Sequence, residues 1–244
     1  MHRAAVGVVA VALLALTAAC GERAVPPVGR VEGTPSSSAS PVAQLTAPTG
    51  RRWVGMNDVV VAVPKGWAIE SDRCGDLERD IVRVLDGTES GCVARPGPEI
   101  SALTVAPLSS GLITAVAHHG TDVDGVTVVH SGVDCRASTT GPCTLTFAVL
   151  EGDAAFRVTY RGANPAAFVE GLLESVTRLP AGLTTVPPVG FGRDVPDALR
   201  ILERAGLEGR SPDPDWPHYA TGTEPAVGSV VASGSTVWLT VGDG

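Results

Sequence analysis

Thr144-Leu145-Thr146-Phe147-Ala148-Val149 and Ala155-Phe156-Arg157-Val158-Thr159-Tyr160 stand on either side of Glu151-Gly152-Asp153. Both runs alternate apolar and polar side chains, the period of a strand with one face in a core. The short acidic connector with its glycine suits a β-hairpin. A helix signal follows directly. Asn164 is placed to cap it, Pro165 suits the first helical position, and Phe168, Leu172 and Val176 recur at i, i+4 and i+8 on one face, with Pro180 expected to end it. Strands closed by a packing helix predict an α+β domain with an antiparallel sheet.

Upstream of the hairpin the strand signals continue. Val59 to Val63 is β-branched and stops at the turn Pro64-Lys65-Gly66. Ile81 to Val84, Ala102 to Val105 and Val126 to Val129 are further candidates. Together with the helix they bound a first folded domain at residues 51–180.

A second domain is expected at residues 183–244. Val186-Pro187-Pro188-Val189-Gly190 opens a short strand and turn. Val195 to Ala205 has helical period, with Ala198, Ile201, Leu202 and Ala205 on an apolar face and Arg200, Glu203 and Arg204 mostly opposite. Gly206 sits where a glycine ends a helix. The chain closes on a strand in which Val237, Leu239 and Val241 share one side.

Four of these elements together resemble a PASTA domain, the small module of penicillin-binding proteins and Ser/Thr kinases. They are Val186-Pro187 with Val189-Gly190, Ala198 through Ala205-Gly206-Leu207, Pro225-x-x-Gly228, and Gly234-Ser235-x-Val237-x-Leu239-x-Val241. The resemblance implies one helix on a three-stranded sheet, and extracytoplasmic binding of peptidoglycan fragments or docking among cell-wall proteins. One departure stands out. Where the family has a regular middle strand, this chain has Pro212, Pro214 and Pro217 around Trp216 and Tyr219, which predicts a short or lost strand and an altered ligand surface. The first domain is similar to N-terminal regions of actinobacterial lipoproteins of unassigned role, through Trp53-Val54-Gly55, Val63-Pro64-x-Gly66-Trp67 and the later cysteines. Its strands and closing helix also resemble the PsbP-type α+β fold, and no functional residue is carried over from it.

The N-terminus has a different character. Arg3 precedes thirteen unbroken apolar residues, Ala4 to Leu16, and then Thr17-Ala18-Ala19-Cys20. The run is shorter than the roughly 20 residues of a membrane span and suits a signal peptide over residues 1–19. Its end resembles the lipobox of bacterial lipoproteins, although Thr17 departs from the usual leucine. The resemblance implies a diacylglyceryl and palmitate anchor on Cys20, on the extracytoplasmic face of the cell membrane. Two acyl chains hold a protein stably where one is marginal. Residues 20–50, punctuated by Pro26-Pro27, Pro35, Ser36-Ser37-Ser38, Ser40, Pro41 and Pro48, are expected to form a disordered tether whose ends lie roughly 30 Å apart. Cysteine parity agrees. With Cys20 lipidated, Cys74, Cys92, Cys135 and Cys143 remain for two disulfides. Three connectivities are open; Cys74–Cys92 and Cys135–Cys143 are favoured on sequence proximity alone. No pair has the C-x-x-C spacing that would favour zinc.

The net charge of -8 lacks the basic footprint of a nucleic-acid binder. Lys65 is the only lysine, and with abundant Ala, Gly and Val this suggests a high-GC, actinobacterial coding sequence. The chain has no G-x-S-x-G elbow, no Walker loop and no H-E-x-x-H, so the expected role is non-enzymatic, with no cofactor and no metal. His118-His119 with Asp122 and Asp124 is expected to lie in an exposed loop, and His130 and His218 to be isolated. Asp194 with Asp197, and Asp213 with Asp215, are expected to accept from backbone N–H groups. Cell-wall fragments offer carboxylates and sugars, which call for arginine forks and aromatic platforms. Arg193, Arg200, Arg204, Arg210, Trp216 and Tyr219 are the candidates, the alternative being that the arginines solvate a helix face and Trp216 covers the sheet end. The expected partner is peptidoglycan, a muropeptide or a cell-wall protein. The rival expectation is an adaptor for a membrane kinase or transpeptidase without direct wall binding.

Overall fold

The computed structural model describes residues 44–70, 79–87, 99–112, 119–135, 141–212 and 219–242. Cys20, Cys74, Cys92, His118, Asp213, Asp215, Trp216 and His218 lie outside these residues, as do the signal peptide and most of the tether. The described part opens with β1 (Arg51–Met56), β2 (Val59–Pro64), β3 (Ala68–Glu70), β4 (Ile81–Val84) and β5 (Ala102–Ala106). Then come β6 (His119–Val123), β7 (Val126–His130), β8 (Asp134–Cys135), β9 (Cys143–Val149), β10 (Ala154–Tyr160), α1 (Pro165–Leu173) and β11 (Thr177–Arg178). The C-terminal part contains β12 (Leu183–Thr185), β13 (Arg193–Asp194), α2 (Val195–Arg204), β14 (Glu208–Arg210), β15 (Tyr219–Glu224), β16 (Val230–Ala232) and β17 (Thr236–Gly242). The protein is a mixed α+β fold with two α-helices and several sheets among the described residues.

The hairpin that opened the sequence reading is the centre of the largest sheet. β9 and β10 pair antiparallel from Ala154↔Val149 to Tyr160↔Cys143. Phe147 and Phe156 are direct partners, fully buried, with ring centroids 4.9 Å apart. Such a stacked pair contributes about 0.5–1.5 kcal/mol beyond its area burial. The sheet order is β3-β4-β5-β10-β9-β7-β6, with β8 beside β9. One expectation is corrected here, because β3 with β4 and β4 with β5 are parallel pairs, so the sheet is mixed. The connections of about ten or more residues between them permit the crossover that parallel neighbours need. All four residues of β4 are buried, Arg83 included, as expected of a parallel strand covered on both faces.

Two other expectations are revised. Helix α1 ends at Leu173, short of Pro180, and Val176 is buried beyond it. The Ser175 hydroxyl explains the stop: it donates to Leu172 O at 2.7 Å and accepts from Ala62 N at 3.0 Å. The chain then leaves helical geometry to add β11 to the sheet β1-β2-β11. Asn164 precedes Pro165 but makes no side-chain cap bond, because its backbone is left-handed with φ 50°.

In the C-terminal part the three-stranded expectation gives way to a four-stranded sheet, β13-β15-β17-β14, and a separate pair, β12 with β16. The strand after α2 persists as the three residues of β14, parallel to β17, and stops before Pro212. Helix α2 buries Val195, Ala198 and Leu202, and Gly206 follows it with φ 73°. Asp194 makes no side-chain cap bond; Asp197 instead pairs with Arg200.

The described residues belong to one compact unit with two hydrophobic cores. A seam joins them. Gly55 N donates to Gly228 O at 3.0 Å, Val54 bridges Ser229, and Val227 is buried in the first core rather than the second.

Cys135 and Cys143 form a disulfide between partners in the β8–β9 ladder. It closes a short loop, so replacing both cysteines by alanine is expected to cost about 2–3 kcal/mol on the loop-entropy relation. A urea-unfolding midpoint measured with and without reductant checks this, and a matching midpoint for the double variant and the parent would contradict it.

Candidate functional site

A cleft of about 430 Å³ opens beside the seam. One wall comes from turns of the first part: Asn57 between β1 and β2, Asp86 after β4, Pro107 after β5 and Asp153 between β9 and β10. The other comes from Thr185, Pro187 and Pro188, from Arg193 on β13, and from Ile201 and Arg204 on α2.

Hydrogen bonds fasten the walls together. Asn57, left-handed with φ 55°, donates its Nδ2 to Gly152 O and Asp153 O at 3.1 and 3.2 Å. Thr185 Oγ1 donates to Asn57 O at 3.0 Å, which ties β12 to the β1–β2 turn. Asp153 Oδ1 accepts from Leu108 N. One link is ionic. Arg193 Nη2 lies 3.0 Å from Asp86 Oδ2, and the Asp86 side chain is only 12% exposed. Gly190, with φ 76°, lets this pair form, since a Cβ there would sit 3.0 Å from Arg193 Nε and 3.1 Å from Asp86 Oδ2.

The guanidinium of Arg193 is not saturated: its Nε is buried and has no partner among the described residues. Arg204 is exposed on the last turn of α2, where a cation complements the helix dipole, and its Nε donates to Arg200 O at 3.2 Å. It has no carboxylate partner among the described residues. The cleft therefore presents one anchored guanidinium and one without a carboxylate partner among the described residues, beside the carboxylates of Asp86 and Asp153 and the apolar side chains of Pro107, Pro187, Pro188 and Ile201, and such a guanidinium suits a carboxylate ligand.

The six candidates from the sequence divide by position. Arg193 and Arg204 line the cleft. Arg200 is turned to Asp197. Arg210 and Tyr219 lie instead on the exposed face of the four-stranded sheet. There Arg210 is the register partner of Trp238 and Tyr219 that of Gly242. Arg210 Nε donates to Glu208 Oε1 at 3.0 Å, and Thr236 Oγ1 donates to the other oxygen. These bonds hold the Glu208 carboxyl below its ordinary range, the hydrogen bond from Arg210 contributing most. Trp238, 47% exposed, joins this face. Sequence analysis passed it over, although an aromatic among the outward residues of an alternating strand is the signal.

The histidines depart from expectation. His119 begins β6 rather than lying in a loop, and His130 is its register partner on β7, with ring centroids 5.6 Å apart. The His130 Nδ1 accepts from Gly132 N at 3.1 Å. Asp122, Asp124, Glu170 and Glu174 line the adjoining cavity. Among the described residues no group of three or more His, Cys, Asp or Glu is placed to hold a metal ion.

Burial first, and the nearby His119 second, lower the His130 pKa. A base whose folded pKa is depressed binds its proton more tightly when unfolded, so stability falls as pH drops below the unfolded value of about 6.5. At pH 7.5, where the imidazole is largely neutral in both states, this effect is small. His130→Gln is expected to flatten the decline in unfolding midpoint between pH 7.5 and pH 5, and an unchanged slope would refute this.

No protein-family model matches the chain, and no curated protein does. Among the described residues no helix is long and apolar enough to cross a membrane.

Proposed function

We propose that this chain is an exported lipoprotein, anchored through Cys20 on the extracytoplasmic face of the membrane, whose PASTA-like C-terminal part binds peptidoglycan fragments. Its role is non-enzymatic, with residues 51–180 as a supporting domain and residues 20–50 as the tether. What carries the binding reading is the convergence of Arg193 and Arg204 on one cleft. Muropeptides end in carboxylates, and a bidentate guanidinium is the side chain best shaped to hold one. The PASTA likeness draws support from α2 on its sheet and from the left-handed glycines Gly206, Gly228 and Gly234 at the motif turns.

Co-sedimentation with purified peptidoglycan tests the reading. Arg204→Ala, at an exposed position that leaves the fold intact, is expected to lower the bound fraction about tenfold, the loss of one charge-assisted contact. Arg210→Ala is expected to leave it unchanged. Equal retention of all three proteins, or no retention, would refute the cleft as a wall-binding site.

A second reading has its own observation. Arg210, Tyr219 and Trp238 lie on one exposed face of the four-stranded sheet, and aromatic residues and arginine are enriched at protein interfaces. It fits an adaptor for a membrane kinase or transpeptidase. A photo-cross-linker at position 238 that traps a protein in cells after the wall has been digested favours that reading.

A further inference from the structure

Cations gather at the end of the fold where the tether arrives. β1 starts at Arg51, and its register Arg51↔Pro64 puts Arg51, Arg52 and Lys65 at one end of the β1–β2 hairpin. Lys65 N donates to Gly50 O at 3.0 Å, which ties that turn to the incoming chain. The large sheet brings Arg161 to the same end. Its neighbour Tyr160 lies 6.4 Å from Trp67 and 3.7 Å from Phe168 between ring centroids, and the Arg51 guanidinium sits 5.7 Å over the Phe168 ring. Arg79 joins them through Asp80, whose carbonyl accepts from Ala68 N.

Carboxylates do not cancel these charges. Arg51 donates to Ala62 O, Arg52 to Trp67 O and Arg161 to Ile100 O, so each guanidinium bonds a neutral carbonyl and keeps its charge. Lys65 and Arg79 are exposed, and neither is in an ion pair among the described residues. The carboxylates described at this end are Glu70, Asp80 and Glu99, and Asp80 Oδ1 accepts from Ser101 N at 2.7 Å.

The opposite end reverses the sign. Asn57 Nδ2 donates to Gly152 O and so joins the far turns of β1–β2 and β9–β10, where Asp58, Glu151 and Asp153 cluster and Arg178 pairs with the first two. The register Val129↔Ala148 carries the β6–β7 turn, with Asp122 and Asp124, past that same end. The first part of the fold is thus electrically polar along its strands, basic where the tether enters and acidic where the cleft opens.

We infer that the tether end, around Arg51, Lys65, Arg79 and Arg161, docks on an anionic phospholipid surface and turns the Arg193–Arg204 cleft away from it. The inference rests on the lipid anchor of the proposed function. A coil of residues 20–50 lets the domain range over roughly 30 Å, several times the screening length of about 8 Å at physiological salt. The net charge of -8 makes an anionic surface repel the chain as a whole, so only a local basic end brought within that length can dock. The anchor supplies the effective concentration that such a weak contact needs.

The test adds the full chain to preformed vesicles of phosphatidylcholine, alone or with about 30% phosphatidylglycerol. Lys65 is the only lysine, and Glu151→Lys supplies a reference amine at the acidic end. Reductive methylation with peptide mass mapping reads both. On anionic vesicles Lys65 should react at least fivefold more slowly than the reference amine, relative to their rates without vesicles. Neutral vesicles should give no such difference, and about 0.5 M salt should abolish it. Adding Arg79→Glu should reduce the protection several-fold. Equal protection of both amines, the same protection on neutral vesicles, or protection indifferent to both salt and Arg79→Glu overturns the inference. Flotation with neutral vesicles reports the anchor separately. A chain that floats without protection of Lys65 overturns the docking alone. A chain that does not float overturns the anchor, and the docking is then decided by flotation and protection on anionic vesicles.

Discussion

Gly55→Ala is expected to leave little or no folded protein. A Cβ at this position would lie 1.9 Å from Val59 O, 2.7 Å from Val60 Cα and 2.8 Å from Val59 C. All three are backbone atoms of the facing strand, since Gly55 is the register partner of Val60 in the tight β1–β2 hairpin. A flexible side chain could move aside; a paired backbone cannot without opening the ladder. The strand that would be displaced is deeply buried, with Val59 to Val63 all fully covered. Gly55 N also holds Gly228 O, so the seam would open with the hairpin. The cost exceeds the ordinary 1–3 kcal/mol of core overpacking. A yield of soluble protein near zero, or an unfolding free energy lowered by more than about 3 kcal/mol, is the expected result. Gly66→Ala is the control. Nothing lies within 4 Å of a Cβ there, and its φ is not in the left-handed region, so its effect should stay within about 0.5 kcal/mol. Equal midpoints for the two variants would contradict the placement of β1 on β2.

Gly228→Ala acts on the other side of the seam. Its φ is 74°, and an added Cβ would meet Val84 Cγ2 at 2.9 Å, Val54 Cγ1 at 3.0 Å and Gly55 O at 3.2 Å. Left-handed backbone costs a non-glycine residue about 1–2 kcal/mol, and packing strain adds about 1–3 kcal/mol. The expected loss is about 2–5 kcal/mol. Because the strained contacts all cross the seam, the two cores should also lose cooperativity. Calorimetry is expected to show one transition in the parent and two, or one markedly broadened, in the variant. Gly234→Ala separates the two causes. It has φ 81° with nothing within 4 Å, so only the backbone term applies. If Gly228→Ala and Gly234→Ala cost the same, the seam is not packed as described.

Much of this architecture was legible from residue order. The hairpin from Thr144 to Tyr160 could be read because a half-buried antiparallel pair must alternate. Helix α2 could be read because Ala198, Leu202 and Gly206 mark its inner face and its end. Strand direction was not legible at β4 and β5. Their apolar runs look alike whether neighbours are parallel or antiparallel, and only the crossover decides. The stop of α1 depended on Ser175 bonding to Ala62 on β2, a contact invisible to local periodicity. The cleft shows the same division. Arg193 and Arg204 could be picked as available cations of the C-terminal part, but Asp86, which anchors the first, is 107 residues away. Seam residues such as Gly55 and Gly228 were visible as motif glycines, while their contact with each other was not.

The central claim is that the Arg193–Arg204 cleft takes the carboxylate of a wall fragment. Calorimetric titration of the protein with a soluble muropeptide, as the free acid and as its terminal amide, tests it most directly. The account predicts binding of the free acid, at least tenfold weaker binding of the amide, and loss of that difference in Arg204→Ala. Equal affinity for acid and amide, or binding unchanged by Arg204→Ala, would contradict it.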